Sequence, residues 1–192
     1  IAILTSIIGT TVAYFTAYAV ARISNKFAKI FHIISMISLA IPGIVLGLSY
    51  IMVFKGTFIY GTIIILVLVN IVHFFASPYL MAYNALCKLN PNYEIVGLTC
   101  GIKKSKIITN VIIPNTISTI IEMLGYFFVN AMITISAVAF LFNSETMPVS
   151  LLINQFDSQM MYEAAAVVST VILFVNCIIK GIIYLIKRYI KF

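Results

Sequence analysis

The chain has 192 residues, of which 62% are hydrophobic and only 9% charged, with a mean hydropathy of +1.13 and a formal net charge of +7. A soluble domain needs polar surface to cover its core, so this composition excludes that class and identifies an integral membrane protein. The positive charge lies between apolar runs rather than in a patch, so it reads as a topology signal and not as affinity for nucleic acid.

A membrane-crossing helix needs about 20 mostly apolar residues, because the hydrocarbon core is about 30 Å thick and a helix rises about 1.5 Å per residue. Five segments meet this length, at residues 1–21, 34–54, 61–86, 117–142 and 164–186. Barrel strands would show short alternating segments, and these runs are too long and too uniformly apolar for that. The expected fold class is all-α, a polytopic membrane protein with five detectable transmembrane helices.

Basic residues between spans mark the cytoplasmic side. Arg22, Lys26 and Lys29 follow the first span, Lys88, Lys103, Lys104 and Lys106 the third, and Lys187, Arg188 and Lys191 the fifth. Lys180, inside the last span, can snorkel toward the same side, leaving Lys55 as the one basic residue of an outer loop. Glu145, Asp157 and Glu163 fall between the fourth and fifth spans, on the outer side. This predicts a multi-pass protein of the cell (inner) membrane with a cytoplasmic C-terminus. The N-terminus would then be outside, yet Ile1 stands within an apolar run with no initiator Met, basic n-region or cleavage site. The single transmembrane domain, residues 1–192, is expected to lack at least one preceding span.

Cys87, Cys100 and Cys177 have no C-x-x-C spacing, and His32 and His73 are isolated, so neither a metal site nor a cofactor is expected. The two histidines read as a helix-end residue and a packed intramembrane residue.

The polar interruption at 88–114 is long enough to fold. Asn90 suits an N-cap and Pro91 the first helical turn, where its missing N–H costs nothing. A short helix is predicted to begin there and run through Tyr93 to about Cys100, with Gly101 ending it in the left-handed conformation. A second short helix is predicted over residues 103–110, and Pro114 then opens the next span. Such an elbow at the membrane surface is a protein-docking shape.

With Gly101 as anchor, Ile95, Val96 and Gly97, then Val111, Ile113 and Pro114, resemble the pattern E-A-A-x3-G-x9-I-x-L-P. That pattern marks the cytoplasmic loop of the membrane subunits of binding-protein-dependent ABC importers. The resemblance implies a coupling loop at 88–114 that inserts into a separate cytoplasmic ATPase. Gly101 would be its hinge glycine and residues 93–105 its docking surface, with Tyr93, Glu94, Gly97, Gly101, Lys103, Lys104, Ile113 and Pro114 as ATPase-coupling candidates. One departure stands out: Ile95 occupies the glutamate position, and Glu94 lies one residue earlier, about 100° around a helix.

Residues 38–50, with Pro42-Gly43 and Gly47, resemble a segment of permeases for ferric iron, phosphonates and polyamines. Residues 134–141 resemble a late span of 2-aminoethylphosphonate permeases. Pro42 leaves a helix carbonyl unpaired and Gly43 and Gly47 allow close helix approach, so this span can bend or pack tightly. Polar residues within spans cost free energy in lipid unless they face other helices or a cavity. Asn70, His73, Asn84 and Asn176 fit interhelical bridging. Asn130 and Thr134, on one helical face, and Ser136, further around, are the pathway candidates together with Pro42 and Gly43. In the outer loop, an amphipathic run over residues 150–161 can lie along the membrane surface.

The resemblance implies a noncatalytic permease subunit working by alternating access. Its partners would be the ATPase, a second permease subunit or copy, an extracytoplasmic solute-binding protein and membrane lipid. The chain has no G-x-x-x-x-G-K-[ST] phosphate loop of its own. Resemblance points to an organophosphonate such as 2-aminoethylphosphonate as solute, with ferric iron and polyamines as alternatives. A secondary transporter is the competing class, although no ionisable carboxylate, Lys or Arg lies centrally in a predicted span.

Overall fold

Lipid offers no partner for backbone N–H and C=O groups, so long apolar segments must satisfy them internally as helices. A computed structural model describes residues 1–23, 26–143 and 145–190, and among them there are helices and turns but no strand. Lys191, counted above among the C-terminal cations, and Ser144 of the outer loop lie outside the described residues. In chain order the helices are α1 (Ala2–Arg22), α2 (Lys26–Met36), α3 (Gly43–Phe54), α4 (Ile63–Phe74), α5 (Ala76–Lys88) and α6 (Asn92–Thr99). Then follow α7 (Lys104–Ile107), α8 (Ile113–Ile133), α9 (Val149–Ser158) and α10 (Tyr162–Ile190).

Three helical stretches are long and apolar enough to cross a membrane, Ala2–Arg22, Lys104–Ile133 and Tyr162–Tyr189. Two further helix pairs are long and apolar enough only when taken together, and each is bent at a short break, as a broken span or a re-entrant loop would be. Lys26–Leu39 and Gly43–Phe54 meet at 106°, and Ile63–Phe74 and Ala76–Lys88 at 55°. The expected continuous span over 34–54 is therefore corrected to a broken one. A 3-10 turn at Ile37–Leu39 ends the first piece, and Pro42 takes an extended backbone (φ −60°, ψ 139°) from which α3 restarts. The 61–86 span breaks where Pro78 cannot donate to the carbonyl of Phe74. The Ala76 N–H beside the break is satisfied by Ser38 Oγ at 3.1 Å.

The fourth span is displaced from its expected limits of 117–142. Its helix begins at Lys104 and stops at Ile133. Pro114 does not open it: α7 runs into α8 through a π-helical turn, Ile108–Ile112, in which Ile113 N–H reaches back to Ile108 O. The wider turn absorbs the proline, so the predicted second short helix over 103–110 is the lysine-rich head of α8. Polar residues such as Lys106, Asn110 and Asn115 hide that head from a test for apolar runs.

Residues 134–142 are apolar yet not helical, and Ala137, Val138 and Leu141 are fully buried. Irregular backbone at membrane depth is stable only inside protein or along a cavity. Here Tyr60 OH donates to Phe140 O and Ser150 Oγ to Thr134 O, at 3.1 and 2.7 Å.

Two cores result. At the lysine-rich end, Tyr14 and Tyr18 of α1 pack with Tyr79 and Leu86 of α5 and with Met123 and Phe127 of α8. At the other end, Leu46 of α3 and Ile65 and Val69 of α4 pack with Ala137, Val138 and Leu141, and Leu151 of α9 joins them. The buried stripe of α1 is Thr5, Gly9, Ala13 and Ala17, while Ile3, Leu4, Ile7, Ile8 and Phe15 are exposed. That inversion is what a membrane demands, because helix association there rests on close approach of small residues rather than on escape from water.

Candidate functional site

The loop between α5 and α8 folds as its capping residues dictate. Asn90 Oδ1 accepts the N–H of Asn92 at 2.9 Å, and Pro91 already has helical dihedrals (φ −61°, ψ −21°). The helix α6 then runs from Asn92 to Thr99. Gly101 follows with φ +74°. Its N–H donates to Leu98 O and that of Ile102 to Gly97 O, both at 3.0 Å, so the paired bonds of a Schellman turn close the helix. Gly97 is the buried residue of α6, and a Cβ there would stand 2.5 Å from Ile107 Cδ1. This contact folds α6 back on α7.

What α6 does not bury matters more. Tyr93, Ile95, Val96, Leu98 and Ile102 are exposed, between 44% and 59%, next to the exposed cations Lys103 and Lys104. An apolar face this dense outside the long spanning helices, rimmed by charge, marks an interaction surface. Ile113 and Pro114 lie away from it, in the first turn of α8. Glu94 also points elsewhere: its Oε1 lies 2.8 Å from Arg22 Nε at the end of α1, both side chains nearly buried. Sequence reading missed this partner because 72 positions separate the two residues and no local spacing connects them.

At the other end, a cavity of about 550 Å³ is lined by Ile44, His73, Phe74, Asn130, Thr134, Ser136, Ala139 and Asn154, among others. Three of the pathway candidates, Asn130, Thr134 and Ser136, thus meet in one space. Thr134 Oγ1 donates to Asn130 O, as expected for neighbours four apart on one face. Ser136 arrives differently, because α8 has ended and a turn, not helical rotation, carries it there. Gly43 stands against the same wall: a Cβ on it would lie 2.5 Å from Ser136 Oγ and 3.0 Å from the His73 ring. Pro42, one residue earlier, sets the start of α3 and is not among the residues that line the cavity.

His73 belongs to this cavity, with Nδ1 buried and without a hydrogen-bond partner, so its reading as a merely packed residue changes. Asn154 was overlooked. Its signal is present in the sequence: Ser150 and Asn154 are four apart on amphipathic α9, and Ser150 is tied to Thr134. Asn70 lines a smaller cavity, about 180 Å³, with Ala131, Val138 and Met147. His32 is not at a helix end but within α2, with Nδ1 2.7 Å from Tyr79 OH. Among the described residues no three His, Cys, Asp or Glu side chains gather as a metal site.

The bundle thus carries a Schellman-closed surface helix with an exposed apolar face at one end and a partly polar cavity at the other. Residues 9–191 match the binding-protein-dependent transport system inner membrane component. The chain belongs to that family. Over 132 residues it is 29% identical to the ferric transport system permease protein FbpB of Actinobacillus pleuropneumoniae. It is 28% identical, over the same length, to a protein described as a ferric transport system permease in Haemophilus influenzae. Each match covers 68% of this chain but only 19% and 21% of those relatives, so the chain spans about a fifth of each. Membership accounts for the multi-pass helical fold.

Proposed function

We propose that this chain is the noncatalytic, membrane-spanning permease subunit of an ATP-driven importer, whose α6 loop docks on a separate cytoplasmic ATPase. The observation that carries the reading is the exposed row Tyr93, Ile95, Val96 and Leu98 on a helix that buries Gly97, outside every span and beside Lys103 and Lys104. The excess of Lys and Arg around this loop and at the C-terminus assigns both to the cytoplasm. Gly101 is the turn about which α6 is held against the head of α8. At the outer end, the loop carrying α9 faces a solute-binding protein. The cavity of Asn130, Thr134, Ser136, His73 and Asn154 lies on the solute path, completed by a second permease subunit.

Ferric iron is the solute favoured by the two relatives named above, ahead of the 2-aminoethylphosphonate suggested by residues 134–141. The polar part of the lining consists of amides, hydroxyls and an imidazole, set among apolar side chains such as Ile44, Phe74 and Ile133, with no carboxylate, Lys or Arg to retain a solute. The test is uptake of labelled ferric iron and labelled 2-aminoethylphosphonate in cells with and without the gene, together with co-purification of the ATPase. Gene-dependent, ATP-dependent iron uptake is the expected result, and phosphonate uptake would transfer the solute assignment. Uptake driven by an ion gradient with this chain alone would overturn the importer reading.

A further inference from the structure

Along one face of α1, Tyr14, Tyr18 and Arg22 follow one another at four-residue steps, and between them they reach α8, α7 and α6. Tyr14 OH and Thr116 Oγ1, at the start of α8, share a buried 2.7 Å hydrogen bond. Lys104 Nζ, in α7, stands 5.7 Å from the centre of the Tyr18 ring, within reach of a cation–π contact. Arg22 Nε lies 2.8 Å from Glu94 Oε1, in α6, with the two side chains only 10% and 13% exposed. Helical periodicity places the three α1 residues in one row. The row therefore touches α8, α7 and α6 in turn, ending on a nearly buried ion pair in which either charge alone would be stranded.

We infer that Tyr14, Tyr18 and Arg22 form a clasp that makes α1 and the α6–α8 loop move as one body, with Arg22 and Glu94 as its positioning pair. Glu94 then works inside the chain and leaves the ATPase to the exposed apolar face of α6. Force arriving at α6 passes directly to α1, whose small-residue stripe packs against α5 and α8. The inference rests on the importer reading given above.

The test uses the complete importer in proteoliposomes and reads solute moved per ATP hydrolysed. Arg22→Glu and Glu94→Arg are each expected to retain the ATPase on co-purification while lowering that ratio about tenfold, a typical size for coupling between sites. The combined exchange R22E with E94R is expected to recover most of it. Should charge reversal reduce accumulation of the protein, Arg22→Gln and Glu94→Gln supply the same readout at nearly unchanged volume. If the unaltered chain fails to hold an ATPase, the importer reading falls. If it holds one and the single variants keep the normal ratio, or the exchange is no better than the singles, the clasp is overturned and the importer reading stands. Loss of ATPase binding in Glu94→Gln but not in Arg22→Gln would return Glu94 to the ATPase contact and overturn the clasp as well.

Discussion

Two glycines of the loop do different physical work, and substitutions separate them. At Gly101 a Cβ would meet nothing within 4 Å, but φ is +74°, so the obstacle is conformational. A Gly101→Val change is expected to cost about 1–2 kcal/mol of local stability, and Gly101→Asn less, since Asn tolerates the left-handed region. At Gly97 the obstacle is steric, because Ile107 Cδ1 lies 2.5 Å from a would-be Cβ. That atom is the far end of a flexible side chain, so Gly97→Ala is expected to be mild and Gly97→Val to cost about 1–3 kcal/mol. Limited proteolysis within the loop, against thermal unfolding of the whole protein, distinguishes a loosened loop from a globally destabilised chain. Gly101 was legible from its spacing to Pro114 and from the cap behind it. Gly97 was legible only as small, and its partner Ile107 emerged when α6 folded back on α7. Glu94 was visible as an out-of-register acid, but Arg22 lies too far away along the chain for any spacing rule to pair them.

Helices α8 and α10 meet through one close approach and one ion pair. A Cβ on Gly125 would collide with Ile183 Cδ1, and one turn nearer the lysine-rich end Lys187 pairs with Glu122. The ion pair is the weaker element. Its side chains are 27% and 39% exposed, and pairs this open contribute about 0–1 kcal/mol once screening is counted. Packing should therefore dominate the attachment of α10. Gly125→Val is expected to destabilise the bundle by about 1–3 kcal/mol, whereas Lys187→Gln changes it by under about 1 kcal/mol. Adding Ile183→Ala to Gly125→Val should restore part of the loss by freeing the space. Chemical denaturation in detergent, read as a double-mutant cycle, checks this, and additive losses would refute direct contact. At this scale the apolar runs identified where helices form but misplaced several of their ends. Pro114 was read as a boundary when a π turn carries the helix past it, and residues 134–142 were read as helix because burial, not helicity, keeps them apolar.

For the molecule as a whole, the cavity around Asn130 and Ser136 and the exposed face of α6 are built from different elements, so their variants should fail differently. Asn130→Leu and Ser136→Val are expected to lower transport at least about tenfold while leaving ATPase co-purification unchanged, since neither residue is near α6. Loss of the ATPase in either variant would refute that separation. A reporter fused after the last helix should report a cytoplasmic C-terminus, and an extracytoplasmic signal would invert the assigned orientation. The sequence by itself determined what depends on composition and local spacing. Lipid as solvent follows from the scarcity of charge, the helical class from run length, and the loop's first helix from Asn90, Pro91 and Gly101. Tertiary structure alone decided which polar residues share a space. His73, Ser136 and Asn154 meet because Pro42 and the end of α8 break two spans, and Arg22 reaches Glu94 because α1 lies along the loop. Such meetings depend on how bent helices pack, and in a membrane that packing is set by side-chain shape at each contact rather than by the hydrophobic pattern that a sequence displays.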